Sequence, residues 1–246
     1  MKNSWIYLKS LLAVCTMIVM GACNNSTDNA ATAPAKAADT VAAIPPAPVA
    51  VPAPVFKPFD IVEIAHAVKD YAKWKPVFDA DSVNRKASGL DYIVVGREMG
   101  KPNNLLVVLN VADTQKAKAF SADPKLKEAM KKGGVISKPV ADFFHVIRFN
   151  ADSKEKKWVI VTHKVKDFDA WLKVYDGEGK EKRMSEGMVD VVLARGIDDP
   201  NLVQLVFDIT DMAKAKAAIT SAEKKKLMMS AGVEGAPKIV FYSSAE

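Results

Sequence analysis

Cysteine is almost absent from this chain of 246 residues, which has only Cys15 and Cys23. Cys15 lies inside an apolar stretch near the start, and Cys23 directly follows that stretch. We therefore expect no disulfide, no thiol nucleophile and no thiolate metal site in the folded part. Long hydrophobic runs are also lacking. The one run without charge, between Lys9 and Cys23, is too short for a comfortable membrane span.

The common catalytic and nucleotide-binding motifs are missing as well. No Gly-x-Ser-x-Gly elbow occurs, and no glycine-rich loop follows a predicted strand, so serine hydrolase and nucleotide chemistry are unsupported. The net charge is +6, and residues 56–150 contain 16 Lys and Arg against 11 Asp and Glu, whereas residues 151–246 contain 16 against 16. The lysine runs at 125–127, 131–132 and 224–226 lack interleaved aromatic residues, so we interpret them as solvated helix faces and expect no nucleic-acid partner.

The first 22 residues have the three parts of an export signal: a basic start, an apolar stretch and a small-residue exit. The order Met-Gly-Ala-Cys that ends at Cys23 resembles a bacterial lipobox. The resemblance implies that Cys23 is acylated (with palmitate or a similar chain) and becomes the new amino terminus. The lipid bilayer would then be a partner, and Asn24 is compatible with the outer membrane as the location in the cell envelope. Ordinary signal-peptidase cleavage near Ala22 is the alternative.

Residues 23–58 differ in composition from the rest of the chain. Seven of the 13 prolines and many alanines lie here, and no periodic apolar face is present. Such composition favours an extended chain over a packed core. We interpret this segment as a tether.

An internal repeat follows the tether. The segment from His66 to Trp74, His-Ala-Val-Lys-Asp-Tyr-Ala-Lys-Trp, recurs 97 positions later, from His163 to Trp171, as His-Lys-Val-Lys-Asp-Phe-Asp-Ala-Trp. After one inserted residue the matches continue at a displacement of 98. The chain therefore holds two duplicated units, residues 59–150 and 157–246, called here the first and the second unit.

Hydrophobic periodicity predicts the same order of elements in each unit. In the first unit a strand covers 61–68, a helix covers 70–87, strands cover 90–97 and 105–111 around a turn at 100–103, two helical pieces follow Asp113 and Asp123, and a strand covers 143–149. The order β-α-β-β-α-β is the ferredoxin-like unit of the α+β class. Because both helices cover one sheet face, the two units should cover each other's second face within one monomeric chain.

Each unit resembles the dimeric α/β-barrel superfamily, which contains the antibiotic-biosynthesis monooxygenase-like domains. The resemblance rests on the element order, the repeat length, the His-x-Val-Lys-Asp start and the Gly-Val-x-x-x-Pro approach to the last strand. It implies two units forming one barrel as an intramolecular pseudo-dimer. The superfamily includes oxygenases, haem-degrading enzymes, isomerases and domains without known activity. Haem-degrading members use an Asn, Trp and His constellation, but Trp74 and Trp171 lie on apolar helix stripes and are predicted to be core residues.

His66 and His163 are the first polar candidates for a ligand site, because each sits near the end of the first strand of its unit. A structural imidazole that caps the strand-to-helix turn and stays neutral is the favoured reading. A general base or a metal or haem ligand is the alternative. Each unit offers too few converging ligands for a metal, and we expect no cofactor. The third histidine, His145, is matched by Ser243 and not by another histidine.

Arg97 and Arg195 are the second matched pair. Each guanidinium could bind a carboxylate-bearing ligand, or it could form a structural pair with an acid such as Asp79 or Asp176. The structural pair is favoured. If a site exists, we expect it to differ between the units, with the more basic first unit taking an anionic molecule.

Three classes of function remain. The protein could bind a small apolar or anionic molecule in the barrel interior or a cleft at the sheet ends. It could be a cofactor-independent oxygenase or isomerase, or it could be a structural or interaction module. The sequence slightly favours a protein that is not an enzyme. We expect a barrel filled with side chains to exclude the first two classes together.

Overall fold

The computed structural model describes residues 56–245. The predicted signal at 1–22, the lipidation of Cys23 and the tether up to residue 55 lie outside the described residues and stay predictions. Within residues 56–245, no helix combines the length and the apolar character that crossing a bilayer requires.

The first unit contains four strands and four helices. They are β1 (Phe59–Ala67), α1 (Tyr71–Ala80), α2 (Ser82–Ala87), β2 (Leu90–Glu98), β3 (Lys101–Val111), α3 (Thr114–Ser121), α4 (Pro124–Lys132) and β4 (Val140–Phe149). The second unit repeats this order. Its elements are β5 (Lys157–Val165), α5 (Phe168–Glu178), α6 (Lys180–Ser185), β6 (Met188–Gly196), β7 (Leu202–Ile209), α7 (Met212–Thr220), α8 (Ala222–Ser230) and β8 (Val233–Ser244).

Aspartate side chains start the long helices of both units. Asp70 accepts from the backbone N–H of Ala72 at 2.8 Å, and Asp167 accepts from that of Ala170 at 2.7 Å. Asp113 caps α3 in the same way. These caps satisfy N–H groups that have no partner inside the helix, which is why the helices begin at these residues.

The prediction of one helix over 70–87 is wrong, because α1 ends at Ala80 and α2 begins at Ser82. The Arg85 guanidinium donates from Nη1 to the carbonyl oxygen of Phe78 at 2.6 Å and stabilises the break. The predicted turn at 100–103 is also shorter in the first unit. There β3 already begins at Lys101, and Gly100 turns the chain with φ of +86°.

The eight strands form one closed barrel in the order β1-β3-β2-β8-β5-β7-β6-β4, all pairs being antiparallel. Each unit contributes a four-stranded ferredoxin-like sheet, and the pairs β2·β8 and β4·β6 join the two sheets at their edges. The predicted fold class, two ferredoxin-like units in an intramolecular α/β barrel, is confirmed. Sheet closure leaves no free edge, which explains how one chain can replace a dimer.

Alternation along the strands creates three apolar cores. One lies between sheet and helices in each unit and contains Trp74 or Trp171, as predicted. The third fills the barrel interior. Its buried members are Ile61, Leu106, Val108, Phe144, Val146, Trp158, Ile160, Ala194 and Tyr242.

Close packing inside the barrel is visible at Gly96, where an added Cβ would lie 2.7 Å from Cζ2 of Trp158. The interior is therefore packed with side chains. This packing argues against a ligand in the barrel interior, but it does not exclude binding altogether. The expectation that a filled barrel would exclude both binding and catalysis overlooked the space between sheet and helices.

Candidate functional site

A column of stacked side chains runs outward from the sheet of the second unit. The His163 and Trp171 ring centroids are 5.5 Å apart, Trp171 stacks on Tyr175 at 5.2 Å, and the Arg183 guanidinium lies 4.0 Å from the Tyr175 ring. The first unit has the same column at similar spacings. Its members are His66, Trp74, Phe78 and Arg85.

Both columns begin at a buried histidine. His66 and His163 are 7% and 5% exposed, and neither ring nitrogen of His163 has a partner. Burial lowers the pKa of each imidazole to about 4, so both are neutral near pH 7. The lowered pKa values agree with the predicted neutral state. The predicted capping of the turn is not seen, because the backbone hydrogen bonding of His66 involves Ile64 within β1 and the ring of His163 has no partner.

An apolar cavity of about 80 Å³ adjoins His163, between the sheet of the second unit and its helices. His163 and Trp171 lie on its wall. Its remaining apolar lining includes Met188, Leu205, Phe207, Ile219, Leu227 and Met228. A larger groove of about 470 Å³ lies next to it and shares Val174, Glu178, Lys224 and Leu227 with the cavity lining. These four shared residues line the boundary between cavity and groove, which is called the passage below.

Lys224 lies in this passage and binds two carboxylates. Its Nζ donates to Glu186 Oε2 at 2.9 Å and to Glu178 Oε1. The Lys224 side chain is 14% exposed, as is that of Glu186, and that of Glu178 is 11% exposed. The prediction that this lysine lies on a solvated helix face is wrong for Lys224, because the two acids draw its ammonium inward.

Arg183 connects this ion-pair cluster to the histidine column. It donates to both carboxylate oxygens of Asp190, at 2.7 Å from Nε and 2.6 Å from Nη2, and to the Tyr175 carbonyl oxygen at 3.0 Å. Burial raises the pKa of the Tyr175 phenol far above its usual value, so the phenol is neutral. The polar groups nearest the cavity are thus an uncharged imidazole, an uncharged phenol and internally paired ions.

The first unit lacks most of this ion-pair cluster. Arg85 matches Arg183 at a displacement of 98, but Ser88 stands opposite Glu186 and Leu126 opposite Lys224. The duplicated column is therefore shared, whereas the charged passage belongs to the second unit. The predicted inequality between the units is present in these side chains, and the anionic ligand expected for the first unit stays a prediction.

Arg97 and Arg195 have the same structural role in both units. Arg97 donates from Nε to the Pro102 carbonyl oxygen at 2.7 Å, and its guanidinium lies 4.7 Å from the Tyr71 ring. Arg195 donates to the Pro200 carbonyl oxygen at 2.8 Å and lies 3.9 Å from the Phe168 ring. A structural role agrees with the favoured interpretation, but the partners differ from the predicted acids.

The predicted acids pair elsewhere. Asp79 accepts from Lys75 Nζ at 2.8 Å, and Asp176 accepts from Arg148 Nη2 at 2.9 Å. His145 forms a 2.6 Å contact with Asp60 from Nδ1. All these contacts are at the surface, and among residues 56–245 no group of three or more His, Cys, Asp or Glu side chains is arranged to hold a metal ion.

Sequence reasoning missed several residues around the cavity: Tyr175, Glu178, Arg183, Glu186, Asp190 and Lys224. The match of Arg85 with Arg183 was visible in the repeat and signalled a shared role. The other residues differ between the units, and a difference within a repeat has no distinctive pattern until the fold brings the residues together.

Fold and cavity together define a class. It contains α/β barrels of the dimeric type that are closed within one chain, with a small apolar cavity between helices and sheet. No protein-family model matches the chain, and no curated protein sequence does. Solved structures with the same fold include a proposed monooxygenase from Lactobacillus acidophilus, at 12% identity and a TM-score of 0.50, over 76% of this chain and 94% of that one. A proposed monooxygenase from Fusobacterium nucleatum is similar at 13% identity and a TM-score of 0.51, over 76% of this chain and 93% of that one. An anthrone oxidase-like protein is similar at 11% identity and a TM-score of 0.52, over 76% of this chain and 92% of that one.

Proposed function

We propose that this protein is a lipid-anchored protein of the cell envelope that binds a small, largely apolar molecule in the cavity of the second unit. The observation that carries the proposal is His163. His163 lines an apolar cavity, and its two ring nitrogens are buried and have no partner in the protein. A neutral imidazole has one donor and one acceptor, and leaving such groups unpaired costs about 1 to 3 kcal/mol each.

The cavity lining indicates the chemistry of the ligand. Aromatic, aliphatic and thioether side chains favour an apolar body, and His163 favours a hydroxyl or carbonyl group at its inner end. An apolar protein cavity of about 150 Å³ admits benzene, so a cavity of about 80 Å³ must widen towards the groove to admit a ring. A phenol is therefore a suitable probe.

Binding is better supported than catalysis. A histidine with a pKa of about 4 is a weak base at neutral pH, and the neutral Tyr175 phenol is a weak acid. The names of the similar structures suggest oxygen chemistry for those proteins, so a cofactor-independent oxygenase remains the alternative function for this chain.

The test compares 4-ethylphenol with ethylbenzene, which lacks the hydroxyl group, by calorimetric titration of the full chain in detergent. We expect 4-ethylphenol to bind about five-fold more tightly, as one hydrogen bond of about 1 kcal/mol predicts. His163→Leu should remove this preference, and the matched control His66→Leu should keep it. Equal binding of both probes, or no binding of either, would contradict the proposal. Oxygen uptake with bound phenol would favour the alternative.

The anchor is tested separately, with Cys23→Ser in cells supplied with a labelled fatty acid. We expect the wild type to take up label and to fractionate with membranes, and the variant to do neither. Cys15→Ser is the control and should behave as the wild type. A wild-type protein without label would contradict the lipid anchor and leave the binding proposal intact.

A further inference from the structure

The passage to the cavity is surrounded by balanced charges. Three cations and three carboxylates form one ion-pair cluster, the passage cluster. Its members are Lys182, Arg183, Lys224, Glu178, Glu186 and Asp190. Glu223 additionally lines the groove outside. With every member in place, the passage cluster presents no uncompensated cation to an anionic ligand.

Lys224 is the member that can leave without stranding a buried acid. Glu178 keeps Arg183 at 3.3 Å, and Glu186 keeps Lys182 at 3.3 Å. Lys224 is carried by α8, a helix with no fully buried residue. Because no residue of α8 is fully buried, its outward movement is less costly than movement of a buried helix.

Departure of Lys224 changes both the space and the charge at the passage. Lys224 lines both the cavity and the groove, so its outward movement would widen the opening between them. The passage cluster then has two cations against three carboxylates, an excess of one negative charge. Two nearly buried carboxylates that already converge on one ammonium would be left to accept another.

We infer that the ligand of this cavity is an amine, an apolar molecule whose ammonium group replaces that of Lys224 between Glu178 and Glu186. The inference rests on the proposed function and adds the charge at the outer end of the ligand. The inner end meets His163, and the ammonium lies at the passage. An anionic group in that place would face the same carboxylates and be repelled.

The experiment titrates three probes of similar size into the full chain in detergent at pH 7: tyramine, 4-ethylphenol and 3-(4-hydroxyphenyl)propionate. Tyramine should bind about three-fold more tightly than 4-ethylphenol, and the propionate more weakly than both. Lys224→Met vacates the ammonium position and should raise the tyramine affinity about ten-fold, with little change for 4-ethylphenol, since a desolvated charge pair is strong. Glu186→Gln should lower the tyramine affinity alone.

Lys225→Met, on the same helix, is the matched control and should bind all three probes as the wild type does. An equal increase for all three probes in Lys224→Met would show that the lysine only blocks the passage, and would overturn the amine assignment. Tighter binding of the propionate would overturn it as well. If 4-ethylphenol does not bind to the wild type, the proposed function itself fails.

Discussion

Glu63 is a buried carboxyl that connects the two units inside the barrel. It lies on β1 and accepts a 2.7 Å hydrogen bond from Nε2 of Gln204 on β7. Burial raises its pKa to about 7. The Gln204 hydrogen bond lowers the pKa, Asp142 raises it further and Lys238 opposes that rise. The carboxyl is thus half protonated near pH 7, at a buried contact between the first and the second unit.

The raised pKa predicts a pH-dependent stability. Folding favours protonated Glu63, so its contribution is complete below pH 4.5 and is lost as the pH rises through about 7. A shift of this size corresponds to roughly 3 kcal/mol. Relative to Glu63→Gln, whose amide does not titrate, the wild type should lose about that much unfolding free energy between pH 4.5 and pH 8, measured by urea denaturation.

Two controls isolate this effect. Glu128→Gln replaces an exposed carboxylate on α4 and should leave the pH profile of the wild type unchanged. His66 and His163 act in the opposite direction, because their lowered pKa values make the folded state less stable as the pH falls from 6.5 to about 4. They are present in all variants, so the difference between wild type and Glu63→Gln cancels them. A constant difference across this pH range would contradict the raised pKa.

At this scale the sequence predicts some roles and cannot predict others. The duplication marked His66 with His163 as equivalent, and the strand alternation placed them on an apolar face. Lys224 could not be predicted, since Lys224, Lys225 and Lys226 are identical in type and adjacent. Only the fold brings Glu178, at the end of α5, to the first of them.

Among the elements, the helix breaks show how one side chain sets local structure. In the first unit Arg85 binds the Phe78 carbonyl oxygen, and in the second Arg183 binds that of Tyr175. Each bond occupies an acceptor that a continuing helix would use, so the chain turns and brings the arginine over the aromatic ring. Periodicity predicts the helix but not its interruption, because the arginine contact comes from seven or eight residues further along the chain. In the second unit Gly179 also turns the chain at the break, with φ of +82°.

Arg97 and Arg195 act on elements other than the broken helices, and they do so in the same way in both units. Each links the hairpin that follows its strand to an aromatic ring at the start of the first helix. The sequence marked these arginines as matched, and this match correctly indicated an inherited structural requirement. The partners were mispredicted because backbone carbonyl acceptors are present at every residue and leave no mark in a sequence.

For the whole molecule, the duplication explains how the barrel closes. At one junction β4 pairs with β6, and at the other β2 pairs with β8. Since β6 and β8 are the repeat equivalents of β2 and β4, both junctions join the second strand of one unit to the last strand of the other. The element order therefore predicted the barrel from sequence, although the residues that fill its interior follow only from the observed register.

This symmetry predicts the behaviour of the first unit alone. Expressed as residues 56–150, it would expose the edges of β2 and β4 and the interior face that contains Leu106, Val108 and Phe144, all of them buried in the full barrel. Two copies can pair β2 with β4 twice about a twofold axis and so rebuild a closed barrel. We expect sedimentation to give a dimer, which further copies cannot extend because no edge remains. Residues 56–246 are the matched control and should sediment as a monomer. A stable monomer of residues 56–150 at high concentration would contradict this argument, because it would require the exposed apolar face to be tolerated in water without a cover.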